Sequence, residues 1–212
     1  MKTILHLCAD TGSDSKPYAD NGYNVVLVGS KIGVENYHPP KGVYGIVANP
    51  PCTEFSIARS GGKPRLGSDG LFLVRECQRI ISECESNGGL QFWVIENPAT
   101  GALRDFLGEP DYVYQPWWFG SPWTKKTALW GHFNEPYRAY DKWEDVPKIP
   151  ELYVRKDTKH RRSTGKPAMY QLHKSDFDLI PEFARLPRPE SDMEMRSLCS
   201  QQFAQAFFKA NS

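Results

Sequence analysis

The chain has 212 residues, 40% hydrophobic and 24% charged, with 26 basic side chains against 25 acidic ones for a net charge of +1. This is the composition of one folded domain, or of one with a small appendage, and it excludes a disordered chain. No apolar run reaches the roughly 18–20 residues that cross a bilayer. Residues Met1 to Leu7 run straight into a strand pattern, without the long apolar segment and small-residue cleavage site of a secretion signal. The expectation is a soluble cytoplasmic protein, monomeric and without a membrane partner. The five cysteines are odd in number and contain no CxxC pair, and the five histidines lack metal-ligand spacing, so neither a disulfide framework nor a metal site is expected.

Residues 3–8 (TILHLC) form a short apolar run that breaks at Ala9-Asp10-Thr11-Gly12-Ser13. A polar, helix-compatible stretch follows and ends at the turn signal Asn21-Gly22. Residues 23–28 (YNVVLV) and 43–48 (VYGIVA) read as continuous strands buried on both faces, the second ending at Asn49-Pro50-Pro51-Cys52. Leu71, Val74, Cys77, Ile81 and Cys84 recur at helical spacing over 69–87, with Asp69 as the expected cap and Gly88-Gly89 as the stop. Cys77 and Cys84 share one face of that helix, so core packing is their expected role. Residues 91–95 (QFWVI) form a further strand, ending at Glu96-Asn97-Pro98.

Strand and helix thus alternate through the first half, which predicts an α/β fold with an open, parallel, Rossmann-like sheet. Ligands bind such sheets at the carboxyl ends of the strands. Three polar clusters fall at those ends: Asp10 to Asp14, Asn49 to Ser56, and Glu96 to Pro98. The second half differs. It holds Trp117, Trp118, Trp123, Trp130 and Trp143, then a basic stretch over 155–166 (RKDTKHRRSTGK) with six Lys/Arg against one Asp. The concentrated charge suits a phosphate contact, and equally a solvated loop. The expected division is a catalytic α/β domain over 1–131, a small irregular Trp-rich and basic lobe over 132–190, and a C-terminal helix over 191–212 returning to the catalytic domain. Phe203, Ala206, Phe207 and Ala210 recur at helical spacing there, which predicts the helix.

The strand ends carry the chemistry. Two prolines after a buried strand fix a stiff, extended turn that presents Cys52 at the mouth of the sheet. Glu96, directly after FWVI, sits where desolvation raises a carboxyl's pKa, so it can donate a proton near neutral pH. A thiolate can add to C6 of a pyrimidine while a carboxylic acid protonates N3, which leaves C5 nucleophilic.

These residues resemble the DNA cytosine-C5 methyltransferases. Pro50-Pro51-Cys52 is similar to their nucleophile motif, Glu96-Asn97-Pro98 to their ENV/ENP motif, and Cys8-Ala9-Asp10-Thr11-Gly12-Ser13 to their first, cofactor-binding turn. Lys125-Lys126-Thr127-Ala128-Leu129-Trp130 resembles a KKTxLWG segment of small bacteriophage-type members, and Arg196-Ser197 followed by 203–208 resembles their closing helix. The resemblance implies a class I methyltransferase fold, S-adenosylmethionine as cofactor, DNA as partner, and methyl transfer to C5 of a flipped cytosine. It implies Cys52 as nucleophile and Glu96 as acid. Asp10, Thr11, Gly12, Ser13, Asn49 and Pro50 would line the cofactor. Pro51, Asn97, Pro98, Lys125, Lys126, Arg161 and Arg162 would face the substrate, the four basic residues at the DNA backbone or in the target lobe. The implied purpose is to mark DNA against nucleases or to regulate it.

The chain departs from that family in two places. Asp10 stands where the family commonly has Gly, and Gly29-Ser30-Lys31 ends the second strand without the usual ribose-binding acid, the nearest being Glu35. About fourteen residues then lead to the next strand, too few for a further strand and helix, and the target region is short at roughly 50–60 residues. Three other readings stay open. They are an amino-methyltransferase using Asn49-Pro50-Pro51, a C5 modification of a pyrimidine base or nucleotide with another donor, and a non-catalytic nucleic-acid- or protein-binding module.

Overall fold

The computed structural model describes residues 1–9, 11–55, 68–153 and 165–212. Six strands form one mixed sheet: β1 (Thr3–Leu7), β2 (Asn24–Val28), β3 (Val43–Ala48), β4 (Phe92–Pro98), β5 (Tyr112–Tyr114) and β6 (Thr127–His132). Their spatial order is β2-β1-β3-β4-β6-β5. The first four are parallel, while β6 runs antiparallel to both β4 and β5. The architecture is therefore α/β and compatible with a Rossmann-like open sheet, but mixed rather than purely parallel.

Helices cover both faces, which is why β1 and β3 are buried along almost their whole length. On one face α2 (Ser68–Asn87) packs Val74, Cys77, Ile80, Ile81 and Cys84 against Leu5, Leu7, Ile46, Ala48 and Ile95. On the other, Tyr18 of α1 (Lys16–Asp20) and Phe203, Ala204 and Phe207 of α5 (Gln201–Ala210) pack on Ile4, Val47, Phe92 and Val94. Fully burying one such side chain contributes about 1.5–3 kcal/mol. Cys77 and Cys84 are buried in the core as expected.

Several local expectations are corrected. The second strand is not buried on both faces, because β2 is the edge of the sheet, and Leu27 is 40% exposed. Asp69 lies inside α2, which starts at Ser68, so it is not the cap. Strand β4 continues through Pro98, since pairing with β6 extends it over Glu96, Asn97 and Pro98, and the short α3 (Arg104–Leu107) follows it. The single closing helix is two, α4 (Asp192–Ser197) and α5, because the backbone leaves the helical region at Leu198 (ψ 136°) and Ser200 caps the second helix, its Oγ accepting from Phe203 N at 3.1 Å.

The connection from β2 to β3 has no α-helix, only a short 3-10 turn at Val34–Asn36. Arg79 of α2 pins it, donating from Nη2 to Val34 O and Tyr37 O at 3.0 Å each.

The lobe is built of 3-10 turns around its own apolar cluster, which includes Leu152, Met169, Leu172, Phe177 and Phe183. Trp123, Met195 and Leu198 from the flanking segments complete that cluster, so the lobe is keyed into the rest of the chain. A polar staple does the same. Ser121 Oγ donates to Glu182 Oε1 at 2.7 Å and lies 2.6 Å from Ser200 Oγ, while Glu182 Oε2 accepts from Gln202 N at 3.0 Å. Glu182→Ala leaves the fully buried Ser121 hydroxyl with Ser200 Oγ alone and takes the acceptor from Gln202 N in the first turn of α5. The expected loss is about 2 kcal/mol, or roughly 4–8 °C in the melting temperature, read by circular dichroism. An unchanged melting temperature would show that the staple carries no stability.

Candidate active site at the carboxyl edge of the sheet

Strand β1 is followed by β2 on one side and β3 by β4 on the other, so the chain changes direction between the adjacent strands β1 and β3. A crevice opens at the carboxyl ends of two strands so related. The turn after β1, Asn49 to Cys52 after β3, and Glu96 to Pro98 at the end of β4 all converge there. Lys125 joins them by topology. Because β6 is antiparallel, with Thr127 paired to Pro98, its amino end meets the carboxyl ends of β3 and β4.

Cys52 opens a 3-10 turn, Cys52–Glu54, immediately after Pro51 (φ −53°, ψ 124°). The Pro-Pro turn is tied to β4: Asn97 Nδ2 donates to Pro50 O at 2.9 Å. Asn97 is buried, and its Oδ1 has no hydrogen-bond partner among the described residues, an unmet acceptor beside Glu96. Half-buried Cys52 has its thiol pushed up by desolvation, pulled down by the Lys125 charge and pushed up by Glu96.

Glu96 is 14% exposed at its side chain. Its Oε2 accepts from Asn49 Nδ2 at 3.1 Å, and its Oε1 lies 4.0 Å from Lys125 Nζ. Desolvation pushes its carboxyl above the usual range. Lys125 opposes this, Asp14 adds to it, and the Asn49 bond opposes it. Glu96 and Asp14 line a small cavity of about 20 Å³ together with Val47, Val94, Leu129 and Phe203.

The turn after β1 is packed inward. Thr11 Oγ1 donates to Ser13 Oγ at 3.3 Å, Ser13 Oγ donates to Asp14 Oδ2 at 3.1 Å, and Cys199 N donates to Ser13 Oγ at 3.0 Å. Gly12 has a left-handed φ of 68°, and a Cβ there would sit 3.2 Å from the Leu27 side chain, so this position requires glycine. Asp10, Ser56, Arg161 and Arg162, and almost all of the basic stretch, lie outside the described residues. Lys126 is exposed, and its carbonyl accepts from Ala99 N at 2.9 Å. Pro51 is exposed and Pro98 half-buried.

The structure thus brings Cys52, Glu96, Asn49 and Lys125 together. Lys125 stands within the cluster, not at an outer surface. The sequence reading assigned no role to His6 and Asp14, which join the same cluster through Asn49. The signal for His6 was a polar residue inside the apolar run TILHL.

No protein-family model matches the chain, and none of the curated proteins compared with it matches. Among the described residues no helix is long and apolar enough to cross a membrane, and no group of three or more His, Cys, Asp or Glu could hold a metal ion.

Among the described residues Lys125 is the cation beside Glu96 and Cys52, so its loss has a direct reading. Lys125→Met removes the charge that lowers the Cys52 thiol and leaves the opposing effects of burial and Glu96. Iodoacetamide alkylation of Cys52, followed by peptide mass spectrometry against pH, should then require a higher pH than in the wild type, by about one unit. Identical profiles would remove Lys125 from any part in setting the thiol.

Proposed function

We propose that this chain is a cytosine-C5-modifying enzyme of DNA methyltransferase type, with Cys52 as covalent nucleophile and Glu96 as acid. The observation that carries the reading is the meeting of Cys52, Glu96 and Lys125 at the switch point of the sheet. A desolvated acid and lysine contribute little stability there, since burial costs about as much as the pairing returns. A perturbed carboxyl, thiol and cation gathered in one crevice mark a site of chemistry.

In this mechanism the Cys52 thiolate forms a bond to C6, and the C5–C6 π pair shifts through the ring. N3 gains the proton of Glu96, and C5 becomes nucleophilic. The Lys125 ammonium stabilises the Glu96 carboxylate that remains. After C5 has bonded to its electrophile, the C5 proton leaves to a base, the C6–S bond breaks, and the N3 proton returns to Glu96. C6 is unreachable within a stack, so the base must be extruded.

The family resemblance supplies S-adenosylmethionine as donor and DNA as partner. The described residues do not complete a pocket for that donor. The Ser13 hydroxyl is committed within the chain, and no carboxylate closes the end of β2 at Gly29-Ser30-Lys31. Activation of C5 depends on Cys52 and Glu96 and stands apart from the donor. The amino-methyltransferase reading is weaker, because it needs Asn49 and the following carbonyl free for an amine. Both ends of the Asn49 amide and Pro50 O are engaged inside the cluster.

The test is nucleoside mass spectrometry on DNA from cells that express the chain in soluble form. A 5-methylcytosine signal is expected. A different C5 adduct would keep the activation and replace the donor, and an unmodified base pool would sink the reading.

A further inference from the structure

We propose that Asp14 and His6 are positioning residues for Glu96, both acting on it through the single side-chain amide of Asn49. The role rests on the reading of Glu96 as the acid. Asn49 Nδ2 has two N–H groups, and both are used on carboxylates: Asp14 Oδ1 at 3.2 Å and Glu96 Oε2 at 3.1 Å. Its Oδ1 lies 2.7 Å from His6 Nε2. One amide therefore joins three titratable side chains that arrive from the middle of β1, the turn after β1 and the end of β4.

The proton count fixes the roles. An amide oxygen only accepts, so His6 Nε2 must carry a proton and donate to Asn49 Oδ1. His6 is 2% exposed, and burial holds its imidazole neutral, against the Asp14 charge and the Asn49 bond. With Nε2 protonated, Nδ1 is the acceptor of the 2.8 Å contact with Ser15 Oγ. Ser15 has one hydroxyl proton and a second acceptor in Gly12 O at 3.2 Å, so the shorter contact to His6 takes it. Nothing about packing a central strand calls for a histidine there. What the neutral ring does is prevent the Asn49 amide from turning over, which would aim its oxygen at two carboxylates.

Consequences for Glu96 follow. With Oε2 occupied by an N–H, the acid proton resides on Oε1, the oxygen toward Lys125. Asp14, held by the second N–H and by Ser13 Oγ, places a like charge beside Glu96 and favours its protonated form. Glu96 faces Asp14 from the β1 turn, His6 across Asn49, Lys125 from the segment before β6, Cys52 from the turn after β3, Tyr114 of β5 and Cys199 before α5. Of these, only Asp14 and His6 reach Glu96 through Asn49, and they pull in opposite directions. Asp14 favours the acid, and the His6-locked amide favours the carboxylate.

The opposite signs make the test. The Glu96 carboxyl is titrated by carbon-13 NMR of side-chain-labelled protein, assigned by the signal lost in Glu96→Gln, with neither DNA nor methyl donor present. Asp14→Asn should shift the titration down by about one unit, and His6→Phe should shift it up. His6→Gln, which keeps an N–H donor, should return it toward the wild-type value. Mere loosening of the site would move both variants down, toward an ordinary carboxyl. Two downward shifts, or unmoved titrations, overturn the proposal. Should His6→Phe fail to fold, His6→Met, which likewise lacks an N–H donor, is titrated in its place, with the same upward shift expected. Because no turnover is read, shifted titrations without any methylation would leave the relay standing and remove the methyltransferase reading, and the reverse result would separate them the other way.

Discussion

Cys52→Ser is expected to remove the 5-methylcytosine signal from cellular DNA, a loss of at least about 10³-fold in rate. The substitution exchanges one small side chain for another and changes the acidity. Burial already pushes the thiol up, and the Lys125 charge is the larger of the effects that pull it back. A hydroxyl at the same place, many units weaker as an acid, has no hydrogen bond to a base among the described residues to ionise it. Cys52 belongs to none of the buried apolar clusters, so the melting temperature should stay within about 1–2 °C of the wild type. A folded variant that modified DNA at the wild-type rate would exclude covalent addition through this sulfur. It would also return weight to transfer onto the exocyclic amine, which requires no thiol.

The elements legible in the sequence are those whose environment is set by local pattern. Strands β1, β3 and β4 are apolar runs because helices cover both their faces, and such runs stand out. Cys52 and Glu96 could be singled out because each follows such a run, one after a Pro-Pro turn and one before Asn97-Pro98. Strand β5 spans only Tyr112–Tyr114, and β6 begins beside Lys125-Lys126, in a stretch dense in tryptophan and proline. No periodicity distinguishes them there. The antiparallel course of β6 was therefore not legible, and with it went the place of Lys125. A basic pair in sequence reads as a surface contact until the topology carries one member into the crevice. His6 and Asp14 are harder still. Their part depends on the orientation of one amide between residues 43 and 35 positions apart in the chain, and no local signal encodes that.

Glu96→Gln should lower the rate by about 10²–10³-fold near neutral pH and change the shape of the pH profile. Turnover as written needs Glu96 protonated and Cys52 ionised at once. Burial pushes both groups up from their ordinary values, and a carboxyl's ordinary value lies well below a thiol's. Between the two apparent values, raising the pH forms thiolate as fast as it removes the acid proton, so kcat/KM in the wild type is level there. Below that window it falls with acid because thiolate is lost while the carboxyl stays protonated. Above the window it falls because the acid is lost while the thiol is already ionised. The glutamine has no proton to lose. Its rate should follow the thiolate alone, rising about tenfold per pH unit across the window where the wild type is flat. The deficit of the variant therefore shrinks as the pH rises, and rates measured at four or five pH values suffice to see it. Parallel profiles for the two proteins would mean that Glu96 shapes or charges the crevice without giving up a proton, and the acid would have to be sought elsewhere.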